Sequence, residues 1–208
     1  MTSRRLSDPL PGFVADASAV INLISSGAAR PIIESFPIRL RVVSAVSSEL
    51  AAGKLRGWNS SERLATLVDV GIVEIVELDD SVEECFESLV IGAAADTLDD
   101  GEAATIAYAR ATGTVALIDE KKGRRICAAR FPELDIHTTV DLLTSASVSK
   151  LLGEVGAADA MFKALTEGRM RVPAGDYARV VAMIGAERAW LCSSLPDHVR
   201  YPHKKVTG

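Results

Sequence analysis

The sequence predicts an α/β fold in which helices cover a mainly parallel β-sheet. Short apolar segments alternate with longer amphipathic ones from about residue 12 to residue 152, which is the pattern of strands joined by crossover helices. No Gly-, Pro- or Ser-rich linker interrupts this stretch, so we expect a single domain. A composition of 48% hydrophobic and 25% charged residues is typical of a chain that folds around its own core.

The predicted strands are short segments with apolar or alternating composition. Residues 115–118 are all apolar, which favours a central strand, whereas residues 72–77 alternate apolar and acidic side chains, which favours an edge strand. The predicted strands are 13–16, 39–43, 72–77, 115–118 and 134–138.

The predicted helices lie between these strands and after the last one. The first is expected to be capped near Ser18 and closed by Gly27. The others are 31–36, 44–50, 60–68, 79–91, 99–110, 121–129, 140–152, 156–166, 175–184 and 186–192. We therefore divide the chain into an N-terminal tail (1–12), an α/β domain (13–152), a helical extension packed on it (153–192) and a mobile tail (193–208).

Charge and cysteine usage restrict the class of protein. Lys and Arg number 23 and Asp and Glu 28, a net charge of −5, which argues against a protein that coats nucleic acid by bulk charge. There is no run of 18 uncharged apolar residues and no secretory signal pattern. The three cysteines form no CxxC motif and are expected to be reduced thiols. We expect a cytoplasmic protein without a membrane segment.

Acidic residues follow two of the predicted strands. Asp16 and Asp119 come at the ends of apolar strands, and the carboxyl ends of parallel strands are where functional groups collect. Glu49 lies in the helix after the second strand, and Glu102 in the first turn of the helix before the fourth. Each acid taken singly also fits an ordinary role, as a helix cap or a surface charge. Together the four are expected to converge at one sheet edge.

Converging carboxylates indicate a bound cation. They repel one another and raise one another's pKa unless positive charge neutralises them. A cluster without His or Cys favours a hard ion such as Mg²⁺ or Mn²⁺. The chemistry that matches is metal-assisted hydrolysis of a phosphodiester.

The motifs around these acids resemble the PIN-domain superfamily of metal-dependent ribonucleases. They are VADASAVINL (14–23), VSSEL (46–50), LDDGEAATIAYA (98–109) and LIDEKKGRR (117–125). The chain is similar to VapC-like toxins and, more closely, to a poorly characterised branch with the GEA and LIDE motifs. The resemblance implies a three-layer α/β/α sandwich.

The resemblance also implies roles for individual residues. Asp16, Glu49, Glu102 and Asp119 match the family's four catalytic, metal-binding acids, with Glu in the third position where many relatives have Asp. Glu120 would be an accessory ligand. The small hydroxyl residue two positions after the first acid is Ser18, which we assign to substrate binding.

Basic residues follow the last of these acids. Lys121, Lys122, Arg124 and Arg125 are expected to contact the phosphates of RNA, either single-stranded or in a structured loop, although a solvated helix face is the simpler interpretation. Many relatives are toxins that form homodimers and are held inactive by an antitoxin, so the resemblance implies both partners. The alternative function is a catalytically inactive PIN-like module that binds another protein.

Three other folds with acids or loops at strand ends are excluded by residue pattern. A haloacid-dehalogenase-like phosphatase needs a second Asp where this chain has Ser18. A receiver domain needs an acid pair at the first strand, where Asp16 stands alone. A dinucleotide-binding domain needs glycines after that strand, and residues 16–21 contain none.

Overall fold

The computed structural model describes residues 12–53 and 59–201. The sheet has five strands, all parallel, in the spatial order β3-β2-β1-β4-β5. The strands are β1 (Phe13–Ala15), β2 (Leu40–Val43), β3 (Val73–Val76), β4 (Val115–Leu117) and β5 (Ile136–His137). The predicted edge strand is at the edge, and the apolar strand at 115–117 is interior, with β1 in the centre.

Helices connect the strands and continue after the sheet. Those within the α/β part are α1 (Ala17–Ser25), α2 (Ala29–Glu34), α3 (Ser44–Gly53), α4 (Ser60–Asp69), α5 (Glu83–Val90), α6 (Asp100–Thr112) and α7 (Lys121–Arg130). Those that follow are α8 (Thr139–Leu143), α9 (Ala146–Thr166), α10 (Tyr177–Ile184), α11 (Ala186–Leu191) and α12 (Asp197–Arg200).

The sheet separates two hydrophobic cores. Successive residues of β1 alternate between them: Phe13 and Ala15 belong to one core, and Val14 belongs to the other. The first core is formed with α1, α2 and the C-terminal helices, and the second with α5, α6 and α7. This alternation is what a strand with helices on both faces requires. The predicted three-layer α/β/α sandwich is confirmed.

The strand order reverses between β1 and β4. The chain builds outward from β1 through β2 to β3, then crosses back to place β4 on the other side of β1, followed by β5. At such a reversal the connecting helices leave toward opposite faces, which opens a crevice at the carboxyl ends of the two strands. Asp16 and Asp119 therefore lie at this crevice, one after β1 and one two residues after β4.

The start of α1 differs from the prediction. The cap is Asp16 rather than Ser18: the helix begins at Ala17, and Asp16 Oδ1 accepts the Ala19 N–H at 2.6 Å. An acid that ends a strand and starts a helix satisfies an amide that would otherwise have no partner. Asp16 thus has a structural role whatever else it does.

The C-terminal helices share the first core. Met161, Leu165, Ile184 and Leu195 are buried in the same cluster as Phe13. One feature differs from the sequence-based elements: the predicted helix 140–152 is broken between α8 and α9. The interruption of α9 at Gly153, with φ 69° and ψ 168°, falls between the predicted helices 140–152 and 156–166.

The segment after α11 also differs from the expected mobile tail. Residues 193–201 include the buried Leu195 and the short helix α12, while residues 202–208 lie outside the described part of the chain.

Two expectations about membrane segments and redox state can be compared with the structure. In the described ranges, no helix is both long and apolar enough to cross a membrane. Cys85, Cys127 and Cys192 are all free thiols, as predicted, and the last two are buried.

Candidate active site

Asp16 and Asp119 form a buried pair at the reversal of strand order. Their side chains are 0% and 4% exposed, and the Asp119 N–H donates to Asp16 Oδ2 at 3.3 Å. Burial raises the pKa of Asp16 well above its usual value, and the charge of Asp119 raises it further. Two carboxylates held this close without a cation favour at least one added proton.

Asp119 is held by two polar side chains that the sequence analysis did not assign to the site. Asn22 Nδ2 and Thr139 Oγ1 each donate to Asp119 Oδ2 at 2.6 Å, and the Thr139 N–H donates to Oδ1 at 2.7 Å. Burial raises the pKa of Asp119, and these three hydrogen bonds act in the opposite direction.

Glu102 lies in the first turn of α6 and is only 6% exposed. Its N–H donates to Asp99 Oδ1 at 2.8 Å, so Asp99 caps the helix. Its own Oε1 has no hydrogen-bond partner among the described residues. A Cβ on Gly123 would lie 2.5 Å from this oxygen, so α7 can come this near only with a glycine there. A buried oxygen without a donor marks a place where a ligand can supply the missing partner.

The charge around Glu102 joins the four predicted acids into one electrostatic group. The pKa of Glu102 is raised to about 7, first by burial, then by Asp99, Glu120 and Glu49, while Lys122 opposes the shift. Glu102 in turn raises the pKa of Asp16. The charges of Asp119 and Glu102 act on Asp16, and the charge of Glu49 acts on Glu102, so the four acids form a connected group.

Glu49 is the most solvent-exposed of the four. It projects from α3 toward the start of α6, where a Cβ on Gly101 would lie 2.5 Å from Glu49 Oε2. Partial burial raises its pKa, with further contributions from Asp99 and Asp100. Glu49 is thus at the outer side of the group.

Glu120 connects the site to a loop that the sequence analysis did not consider. Ser18 Oγ donates to Glu120 Oε1 at 3.4 Å, and Arg171 Nη1 lies 3.8 Å from Glu120 Oε2. Arg171 belongs to the loop between α9 and α10 and is 78% exposed. Arg171 therefore places an exposed guanidinium beside Glu120, although it lies outside the α/β domain predicted for residues 13–152.

Three of the four predicted phosphate-contacting residues have partners within the protein. Lys122 Nζ donates to the Ala94 carbonyl at 2.7 Å and Arg125 Nη2 to that of Ala95 at 2.5 Å, which attaches the loop between α5 and α6 to α7. Arg124 donates to the carbonyls of Ile118 and Asp119. The fourth, Lys121, is exposed at the start of α7.

The donor set fits a hard divalent cation held by few protein atoms. In the described residues, no three Asp, Glu, His or Cys side chains are placed to hold a metal ion jointly. Mg²⁺ needs no such trio, because one or two carboxylates suffice while several of its ligands remain water. The unpartnered Oε1 of Glu102 and the buried pair of like-charged acids are what such a cation would satisfy.

The two residues missed by the sequence analysis had weak signals. Asn22 lies six positions after Asp16 and four after Ser18, on the same helix and near the same face. Thr139 comes two residues after β5, at the same edge of the sheet as the acids. The sequence analysis looked for acids near strand ends and for no other residue type. A search for every polar residue near a strand end would have found Thr139.

Comparison with known proteins gives a family. The model of the family DUF3368, a PIN domain, matches residues 12–186, which is most of the chain and extends past residue 152 through α10. No curated protein and no solved structure matches the chain. PIN domains are generally nucleases and typically use divalent metals. The motifs, the all-parallel sheet and this match agree that the chain belongs to the PIN-domain family.

Proposed function

We propose that the protein is a Mg²⁺- or Mn²⁺-dependent endoribonuclease that hydrolyses RNA phosphodiesters. The observation that carries the proposal is the meeting of a buried Asp16–Asp119 pair with Glu102, whose Oε1 has no partner in the described residues. A protein would not bury these like charges together for stability alone, since they destabilise one another.

The acidic residues have different expected roles in binding the cation. Asp119 and Glu102 would contact the cation directly, Asp16 would add negative charge beside them, and Glu49 and Glu120 would lie at the rim. When bound, the cation would supply the positive charge that activates a water and stabilises the charge that develops on the phosphate. Burial of Asp16 and Asp119 keeps bulk water away from the carboxylates and strengthens their attraction for that charge.

Phosphate contacts are assigned to exposed cations that donate no hydrogen bond to a backbone carbonyl of the described residues. Lys121 follows Glu120 directly at the start of α7, and Arg171, on the loop after α9, has its Nη1 3.8 Å from Glu120 Oε2. Lys122 and Arg125 instead hold the loop between α5 and α6, through its carbonyls. RNA is expected to cross the site between Lys121 and Arg171.

Cleavage of RNA with and without Mn²⁺ tests the proposal. A single-stranded RNA and a stem-loop should both be offered, with DNA of the same sequence as a control. Asp16→Asn should lower the rate at least about 100-fold, because a carboxylate that acts in the transition state is lost. The variant should still fold, since Asn is as good a helix cap as Asp. Equal cleavage by Asp16→Asn, or cleavage unaffected by chelator, would refute the proposal.

A second candidate is a catalytically inactive PIN-like module that binds another protein. It is favoured by the lack, in the described part of the chain, of three side chains placed to hold a metal. Thermal unfolding with and without Mn²⁺ separates the two. A melting temperature raised by Mn²⁺ in the parent and not in Asp119→Asn supports the nuclease. No shift in either supports the module.

A toxin role with two partners is part of the same proposal and rests on the resemblance to VapC-like toxins. The partners are a second copy of the chain and an antitoxin. Exposed apolar side chains on the C-terminal helices, Val155, Trp190 and Leu191, offer surface for such contacts. Light scattering of the purified protein tests the homodimer. Growth arrest on expression, relieved by the product of the adjacent reading frame, tests the toxin role.

A further inference from the structure

Asp119 is fixed by hydrogen bonds from two elements that are distant in the sequence. We propose that Asn22 and Thr139 are positioning residues that orient Asp119 so that a single oxygen, Oδ1, remains to bind the cation. The inference rests on the proposed function, since it assumes that the acids bind a metal. Neither residue touches the substrate in this account, and both act through Asp119.

The hydrogen bonds that Asp119 accepts show which of its two carboxylate oxygens can still bind a cation. A carboxylate offers roughly four lone-pair positions, two on each oxygen. Oδ2 accepts from both Asn22 Nδ2 and Thr139 Oγ1 at 2.6 Å, so its two positions are filled. Within residues 12–53 and 59–201, the one group that donates to Oδ1 is the Thr139 N–H, at 2.7 Å. The position still open is on Oδ1, so Asp119 can contribute one direct contact and cannot chelate with both oxygens.

Asn22 is held in place by close packing behind it. The side chain is 4% exposed on α1, and its amide must present the NH₂ group to Asp119, because a carboxylate only accepts hydrogen bonds. A Cβ on Gly168 would lie 2.9 Å from Asn22 Oδ1, so the loop after α9 approaches Asn22 at a glycine. This contact leaves Asn22 little freedom to turn away from Asp119.

Thr139 is held by the start of α8. Thr138 caps this helix, and its side chain and that of Asp141 bind each other's backbone N–H groups in a capping box. Arg179 of α10 donates to Asp141 Oδ1 at 3.0 Å. The position of Thr139, and through it that of Asp119, thus depends on the C-terminal helices as well as on the sheet.

Hydrogen bonds to a ligating carboxylate have a known effect on metal sites. They restrict its orientation, and loss of one such partner typically lowers metal affinity or activity about 10- to 100-fold. For Asn22 and Thr139 this predicts weaker Mn²⁺ binding without loss of the fold. A purely structural role predicts the reverse, a loss of stability with unchanged affinity for the metal.

Isosteric variants test the inference. Thr139→Val removes the hydroxyl donor and keeps the shape, Thr139→Ser restores the donor, and Asn22→Leu removes the amide. Thr144→Val, a threonine just after α8 whose hydroxyl bonds to the Val140 carbonyl, is the matched control. Titration calorimetry gives the Mn²⁺ dissociation constant of each full-length variant, and thermal unfolding in chelator gives its stability without metal.

We expect Thr139→Val and Asn22→Leu to bind Mn²⁺ about 10- to 100-fold more weakly, and Thr139→Ser and Thr144→Val within about threefold of the parent. In an Asp119→Asn background, Asn22→Leu should cause no further loss of affinity, because it acts through Asp119. If Thr139→Val and Asn22→Leu fold and bind Mn²⁺ as tightly as the parent, the positioning inference is overturned and the proposed function is not. A parent protein that neither binds Mn²⁺ nor cleaves RNA would overturn the proposed function, and the inference with it.

Should either variant fail to fold, the same comparison is available with Asn22→Gln and Thr139→Ser. Asn22→Gln keeps the amide and moves it by one methylene, whereas Thr139→Ser keeps the hydroxyl in place. Positioning therefore predicts weaker Mn²⁺ binding by Asn22→Gln and normal binding by Thr139→Ser. Normal binding by both variants would contradict the inference.

Discussion

The two halves of the acidic group differ in how completely the protein satisfies them. In the inner half, Asp16 and Asp119 accept hydrogen bonds on all four carboxylate oxygens, from backbone amides, Asn22 and Thr139. In the outer half, Glu102 Oε1 has no partner in the described residues, and Glu49 faces solvent. The inner half is fixed before any ligand arrives, and the outer half has unused capacity to bind one.

This difference indicates how the site binds a cation. A fixed pair of acids provides negative charge at a defined place, while an acid with a free oxygen can adapt to the ion. Loss of the Glu102 carboxylate should therefore weaken metal binding more than loss of the Glu49 carboxylate.

The largest expected effect is at Glu102. Glu102→Gln removes the negative charge, replaces one carboxylate oxygen by an NH₂ group and keeps the size of the side chain, so cleavage should fall at least about 100-fold. Glu49→Gln, in the exposed position, should lose less. Single-turnover cleavage of one RNA at saturating Mn²⁺ measures both. If Glu49→Gln lowers the cleavage rate more than Glu102→Gln does, the assignment of the main cation-binding role to Glu102 is contradicted.

The next effect is on the pH dependence of stability in chelator. The pKa of Glu102 is raised from 4.5 to about 7 in the folded protein, so the folded state holds this proton more tightly than the unfolded state. Its stabilising contribution is present below pH 4.5 and is lost as the pH rises through 7, by about 3 kcal/mol in total. Asp16, whose pKa is also raised, acts in the same direction.

Urea unfolding at pH 5 and pH 8 measures this loss. Glu102→Gln, which has no proton to lose, should be more stable than the parent at pH 8 and similar to it at pH 5. Saturating Mn²⁺ should restore the parent at pH 8, because the cation binds the folded protein and neutralises the buried charge that Glu102 carries at this pH. A parent with greater stability at pH 8 than at pH 5 in chelator would contradict the account.

The smallest expected effect concerns substrate binding at the rim. Arg171→Gln should lower the dependence of log Kd on log salt by about one phosphate contact. Arg30→Gln is a matched control, an exposed arginine of α2 paired with Glu34 at 3.0 Å. Fluorescence anisotropy with a labelled RNA, using Asp16→Asn to prevent cleavage, gives the slopes. Equal slopes for the two arginine variants would remove Arg171 from the RNA path.

The fold was largely predictable because its signals are local. Apolar runs such as 115–118 and the alternation at 72–77 give both the strands and their positions in the sheet. The capping of α6 by Asp99 was also predictable from residue type and spacing. The cap of α1 was assigned wrongly, because Asp16 and Ser18 are both good caps and the choice depends on where β1 ends.

The site was predictable only in part. The positions of four acids relative to strands and helices identified the region, because parallel strands end at one edge. Asn22, Thr139 and Arg171 reach it through packing between elements far apart in the sequence, which periodicity does not report. Lys122 and Arg125 donate to the carbonyls of Ala94 and Ala95. The sequence did not predict these contacts, because they too join segments that are far apart in the chain.

The most direct test of the account is the position of a bound Mn²⁺ ion. Crystals of the protein grown near neutral pH with Mn²⁺ would show the ion in an anomalous difference map. The account predicts a peak at the carboxyl ends of β1 and β4, in coordination contact with Glu102 Oε1 and Asp119 Oδ1, and absent in Glu102→Gln. A map with no peak at this edge of the sheet, at Mn²⁺ concentrations that support cleavage, would contradict it.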